Sequence, residues 1–279
     1  MEQTSMEFAE PFSQLKLALV GVEKSWKSRT AATGRKPVLF LDFDQRKEAI
    51  AGYKDVYAFT FADKGSYFSP EAYTESLDVF TRMEESLLLK SLGFDNAPED
   101  AEVQSLVFDS IQNQAKAAMR FALYNTGEIR REIKIEGRDS IRIPKSFDAW
   151  KAEMTMVEDC ILRALALRRS NGNPVDVIII LHEVPEEAPE STEKNPVYTG
   201  KACVYPVRYK GVLNLFNEVW RMELVPPNNV TDGQDANIYV GRATTAADYN
   251  FNAASNLLVN QYVERPNIAE MIETSLRAK

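Results

Sequence analysis

Four short, mostly apolar runs, each with a glycine or an acid at or near its end, constrain this chain more than any other feature. They are LKLALVG (15–21), PVLFLDFD (37–44), VQSLVFDS (103–110) and VDVIIILHE (175–183). A strand with one face in water alternates apolar and polar residues. A run that is apolar at nearly every position has both faces covered, which is the pattern of a buried parallel strand. VYAFTFAD (56–63) joins the set with a more alternating pattern.

Helical periodicity fills the gaps between these runs. Residues 70–92 carry apolar positions at helical spacing, with Pro70 at the start and Gly93 just past the end. IQNQAKAAMRFALY (111–124) predicts a second helix, and 146–169 a long amphipathic one stopped by NGNP (171–174). EIKIEGRDSIRI (132–143) alternates around a polar turn and predicts a hairpin. The Pro/Glu-rich stretch 183–196 predicts a loop. Strand-like segments follow at 202–209, 219–225 and 236–241, with a last helix near 267–277. Strands alternating with helices predict an α/β fold: a mostly parallel sheet flanked by helices, with an added antiparallel hairpin or small sheet, in a single domain over 1–279.

Composition removes several function classes. With 33 Lys and Arg against 41 Asp and Glu, the net charge is −8. That argues against broad non-specific nucleic-acid binding, which needs many cations on phosphates, but leaves room for a local basic groove. The single histidine, His182, rules out a multi-histidine metal site, and no G-x-S-x-G is present. The two cysteines, Cys160 and Cys203, read as buried free thiols of a reducing compartment. The first residues, MEQTSMEFAEPF, have neither a basic nor an apolar leader region, and no run reaches the roughly 18 residues of a membrane span. A cytoplasmic protein without membrane contact is expected.

In open parallel sheets, ligands bind beyond the carboxyl ends of the strands. The residues there are Gly21 to Ser28, Asp42 and Asp44, Asp109 and Ser110, and His182 and Glu183. Any one of them has an ordinary reading; a lone Asp, for example, caps helices well. The stretch GVEKSWKS (21–28) has the spacing of G-x-x-x-x-G-K-[ST], with Trp26 in place of the second glycine. Phosphate binding uses these residue types for physical reasons. Backbone N–H groups cradle the anion, and a lysine adds a point charge. A hydroxyl and a strand-end Asp offer Mg²⁺ the hard oxygens it prefers. Lys27, Ser28 and Asp109 fit those roles. An ordinary strand–turn–helix with Lys27 and Ser28 exposed is the competing reading.

The order LKLALVG…KS, PVLFLDFD, SLVFDSIQNQ, VIIILHE and TGKACVYPVRYKGVLNLFNEVWRMEL resembles the RecA-like P-loop ATPases of bacteriophages, which are grouped with single-strand annealing recombinases. The resemblance spans about residues 12–260. It implies a RecA-like P-loop NTPase core that binds ATP and Mg²⁺. It also implies action in DNA recombination, single-strand annealing or replication, with single-stranded DNA as a partner and self-association into homo-oligomers. By the same resemblance Gly21, Lys24, Lys27 and Ser28 form the phosphate loop, and Ser28 and Asp109 hold the metal. Asp44 orients the attacking water, and His182 senses the terminal phosphate and couples it to a DNA loop at 184–200.

The departures from that pattern have physical consequences. Glycine before the lysine lets the backbone approach phosphate closely; Trp26 adds an indole that either fills that space or forces the loop open. Glu23 places a carboxylate in the loop. At about 4 Å a like-charge pair costs roughly 4 kcal/mol at an effective dielectric near 20. The segment 184–200 is rich in glutamate, and YNFNAASNLL (249–258) has no Lys or Arg to reach a neighbouring subunit's nucleotide. These features support the alternative, a catalytically degenerate P-loop protein serving as a binding or assembly component of the phage. The best DNA-contact candidates are Lys201, Arg208 and Lys210, with Arg221, interleaved with Tyr198, Tyr205, Tyr209 and Trp220. The solvated face of a half-buried sheet would carry the same residues.

Overall fold

The computed structural model describes residues 14–62, 70–126, 129–135, 138–144, 147–187, 198–205, 207–226, 240–244, 257 and 262–277. Along the chain, β1 (Lys16–Gly21) leads into a short α1 (Lys27–Ala31), β2 (Val38–Asp42) and β3 (Val56–Thr60). Then come α2 (Glu71–Glu85), β4 (Ser105–Asp109) and α3 (Ile111–Thr126). The hairpin of β5 (Ile129–Ile135) and β6 (Arg138–Pro144) precedes α4 (Phe147–Ala166), β7 (Asp176–Glu187) and β8 (Tyr198–Tyr205). The chain finishes with β9 (Glu218–Val225), β10 (Val240–Thr244), β11 (Tyr262–Glu264) and α5 (Ile268–Arg277).

Nine of the strands form one sheet in the order β11-β10-β9-β1-β7-β4-β2-β3, with β8 paired to β7. The six strands from β9 to β3 are mutually parallel, whereas β10, β11 and β8 join antiparallel. The continuous apolar runs are explained by two cores, one on each face. Ala18 and Val20 pack with Leu39, Leu41, Leu106, Phe108, Ile179 and the apolar sides of α2, α3 and α4. Their immediate neighbours Leu17 and Leu19 pack with Phe40, Val107, Ile178, Ile180, Trp220 and residues of α1 and α5. Successive side chains point to opposite faces, so a strand sandwiched between helix layers is apolar throughout. The fold is therefore α/β, a mostly parallel sheet flanked by helices with a separate antiparallel hairpin, as expected.

Several boundaries differ from the sequence expectation. The helix expected over 70–92 stops at Glu85, because Ser86 is extended, with φ −157° and ψ 133°. Leu87, Leu89 and Leu92 are still buried, and Leu88 bridges Glu102. Their apolar spacing reflects packing from turns, not a continued helix. The stretch expected as a loop at 183–196 begins as strand: Glu183 to Glu187 extend β7 and pair with β8, while 188–197 lie outside the described residues. The segment expected as strand at 202–209 is β8 followed by a 3₁₀ stretch, Val207–Leu215. Among the described residues, no helix is long and apolar enough to cross a membrane.

Candidate functional site

Strand register gathers the expected residues at one edge. Gly21 at the end of β1 lies level with His182 on β7, and Asp42 at the end of β2 lies level with Asp109 on β4. Because β7 runs between β1 and β4, the β1–α1 loop, His182 and Asp109 face a common space. That space is a cavity of about 440 Å³ lined by Lys24, Trp26, Lys27, Ser28, Asp44, Asp109 and His182. This is within the usual range for a small-ligand site.

The β1–α1 loop turns tightly from its first residue. A Cβ on Gly21 would come within 2.3 Å of the Met222 carbonyl oxygen and 2.8 Å of Ser25 Oγ, so no side chain fits there. Lys24 and Trp26 both adopt left-handed backbone, with φ 62° and 68°. That region is costly for residues with a Cβ. The buried Lys27 ammonium closes the loop by donating to Gly21 O (2.9 Å), Val22 O (2.5 Å) and Ser25 Oγ (3.3 Å). Burial drives Lys27 down to about 8, and the carboxylates of Asp109, Glu183, Asp44 and Glu23 oppose the shift.

Ser28 Oγ donates a 2.6 Å hydrogen bond to Asp109 Oδ2. Burial raises the Asp109 carboxyl to about 7 despite that bond, and the neighbouring Asp44 and Asp42 push the same way. Asp44 behaves oppositely. Burial would raise it, but the His182 ring and the donors Ser110 and Asn113 outweigh burial and hold it at about 2. Ser110 Oγ and Asn113 Nδ2 both donate to Asp44 Oδ1, at 2.7 and 2.6 Å. His182 Nε2 stands 3.9 Å from Oδ2, beyond hydrogen-bond length. The two acids of the cavity thus differ sharply: Asp44 is ionised at neutral pH, and Asp109 is half-protonated near it.

Trp26 does not point into open solvent. Its indole is half-buried and rests on β10, where a Cβ on Gly241 would meet Trp26 Cβ at 2.6 Å and Cγ at 2.9 Å. The Arg29 guanidinium carbon lies 5.0 Å from its ring centroid. The indole forms one wall of the cavity on the β10 side. Glu23 is exposed.

The cavity includes residues that sequence reasoning did not select: Arg29, Arg46, Glu48 and Ile180, with Asn113 behind Asp44. Asn113 lies in the first turn of α3, just beyond the end of β4, and no motif in the sequence marks it. Arg46 and Glu48 are brought in only by the chain's curl after β2. The basic-and-aromatic surface comes apart at two positions. Trp220 is fully buried and donates to Glu218 Oε2 at 2.9 Å. Arg221 is bound to Glu183 and Glu223 in an ion-pair chain that continues to Arg242. Lys201 lies on β8, and Arg208 and Lys210 on the following 3₁₀ stretch; their side chains fall outside the described residues.

Among the described residues, no group of three or more His, Cys, Asp and Glu is placed to hold a metal. A cation here would be one that takes one or two protein oxygens and draws the rest from phosphate and water, as Mg²⁺ does. The Ser28 hydroxyl and Asp109 carboxylate fit that donor set. Compared with known proteins, the chain matches no protein-family model and no curated sequence.

Proposed function

We propose that this chain is a RecA-like P-loop protein that binds ATP with Mg²⁺ in the cavity at the β1–α1 loop. The observation that carries the reading is the 2.6 Å bond between Ser28 Oγ and Asp109 Oδ2, which joins residues 81 positions apart directly beside Lys27. A hydroxyl from the loop and an acid from a neighbouring strand end converge there. The sheet order supports it, since β7 lies between β1 and β4 and brings His182 to the same rim.

In this reading Lys27 exchanges the loop oxygens for phosphate oxygens and contributes a point charge. Ser28 and Asp109 would hold the metal, which would supply charge neutralisation at the phosphates. Asp44, held ionised near pKa 2, is too weak a base to remove a proton early. It is suited to accept a hydrogen bond from the attacking water and orient it. In the same reading His182, 3.9 Å from Asp44, responds to the terminal phosphate. The biological setting rests on the sequence resemblance: phage DNA recombination, single-strand annealing or replication, on single-stranded DNA, by a cytoplasmic homo-oligomer. Calorimetric titration with MgATP tests the core claim. Binding is expected in the wild type and loss in Lys27→Ala; no heat at millimolar ATP sinks the proposal.

A second reading is favoured by one specific observation. Lys27 is already satisfied by three oxygens of its own loop, a closed arrangement suited to a catalytically degenerate P-loop protein that serves as a binding or assembly component. ATP turnover that disappears in Asp109→Asn rules this reading out.

A further inference from the structure

We propose that Arg46 is the cation this chain supplies, within its own site, to the terminal phosphate of the bound nucleotide. The inference rests on the nucleotide reading above and adds a residue that no motif in the sequence selects.

The first argument is position. β2 ends at Asp42, and the backbone N–H groups of Phe43 and Asp44 donate to the Asp109 carbonyl at 2.7 and 3.1 Å. Gln45 is left-handed, with φ 57°, and the Arg46 N–H is caught by Asp42 Oδ1 at 3.3 Å. These contacts curl the chain back over the strand ends and bring Arg46 into the wall of the cavity that holds Lys27, Ser28 and Asp109.

The second argument is polarity along the ligand. Asp109 ends β4 and Asp44 follows β2, on one side of β1. Trp26 rests on Gly241 of β10, on the other side. In that reading Ser28 and Asp109 would hold the metal, so the outer phosphates would lie on the β4 side and the nucleoside would extend toward β10. Arg46 belongs to the phosphate end.

The third argument is availability. Lys24 and Lys27 already belong to the phosphate loop in that reading, and the Arg29 guanidinium lies over the Trp26 ring. Arg35, Arg163, Arg221 and Arg242 are paired with carboxylates. Arg46 is exposed, and its guanidinium has no hydrogen bond or ion pair among the described residues, although Glu48 shares the wall. An unpaired guanidinium facing a phosphate site is suited to bidentate contact.

The test is calorimetric titration of wild type, Arg46→Ala and Arg46→Lys with MgATP and, separately, MgADP. Arg46→Ala is expected to weaken MgATP binding by about 10- to 100-fold, the range for a lost charge-assisted contact. MgADP binding stays within about threefold, Arg46→Lys recovers part of the loss, and the thermal midpoint is unchanged because the side chain holds nothing in the fold. Wild-type binding of both nucleotides with equal losses in Arg46→Ala, or with no loss, overturns the role of Arg46 and leaves the nucleotide reading standing. Wild type that binds neither nucleotide overturns both.

Discussion

Trp26 and Gly241 are matched across the sheet edge: the indole occupies the space that any side chain at 241 would need. A Cβ added to Gly241 falls 2.6 Å from Trp26 Cβ, closer than real Cβ atoms approach other carbons. The glycine is thus required by its neighbour, and the neighbour belongs to the loop that forms the cavity.

Gly241→Ala should therefore destabilise the fold by about 1–3 kcal/mol, the usual penalty of overpacking. Because the nearest atom is Trp26 Cβ, truncation to Ala at position 26 leaves the clash, and only Trp26→Gly removes it. Denaturant melts of the two singles and the double variant should show coupling in Trp26→Gly and none in Trp26→Ala.

Trp26→Gly is informative by itself. It relieves left-handed backbone at φ 68°, about 1–2 kcal/mol, and loses a half-buried indole with its cation–π contact, of similar size. Stability should change by less than about 1 kcal/mol, so binding can be compared directly. Tighter MgATP binding in this variant would identify the indole as the brake on the loop; unchanged binding would clear it.

Asp109 should make stability depend on pH. Its folded value of about 7 exceeds the ordinary 3.8, so the folded state holds the proton more tightly. Its stabilising contribution is complete below pH 3.8 and is lost as pH rises to about 7. The loss amounts to about 4 kcal/mol at 1.36 kcal/mol per unit. Asp109→Asn keeps an acceptor for Ser28 and removes the titration. Thermal melts at pH 8 should show the variant more stable than wild type, and melts at pH 4 should show them alike. Nucleotide binding should move the other way, with MgATP affinity falling in the variant.

Lys27 predicts a break in affinity on the alkaline side. With a value of about 8 in the free protein, its charge fades above that pH, and MgATP affinity should drop by about tenfold per pH unit. Lys27→Arg, which does not titrate in this range, should show no break there.

Asp176 provides a control remote from the cavity. It accepts from the Leu15 N–H at 2.7 Å and from Arg35 Nε at 2.6 Å, at the end of the sheet opposite the strand carboxyl ends. Asp176→Ala leaves a buried N–H unpaired and should cost about 2–4 kcal/mol. Nucleotide affinity of the folded fraction should be unchanged, which separates loss of fold from loss of site.

The amino-acid pattern was sufficient for the strands and for the edge they share. Residues buried on both faces leave little freedom, so the short apolar runs LKLALV, VLFLD, SLVFD and DVIIIL read as interior strands of a parallel sheet, which they are, and their termini put Lys27, Ser28, Asp44, Asp109 and His182 in one set. Tertiary structure decided whatever depended on a neighbour distant in the chain. Leucines 87, 89 and 92 are buried beyond the end of α2, because burial does not record which backbone supports it. Trp26 looked like an obstruction until Gly241 received it. Trp220 and Arg221, promising as a surface, are claimed by Glu218, Glu183 and Glu223. Arg46 enters the cavity only through the turn at Gln45, a backbone dihedral that local side-chain periodicity does not encode.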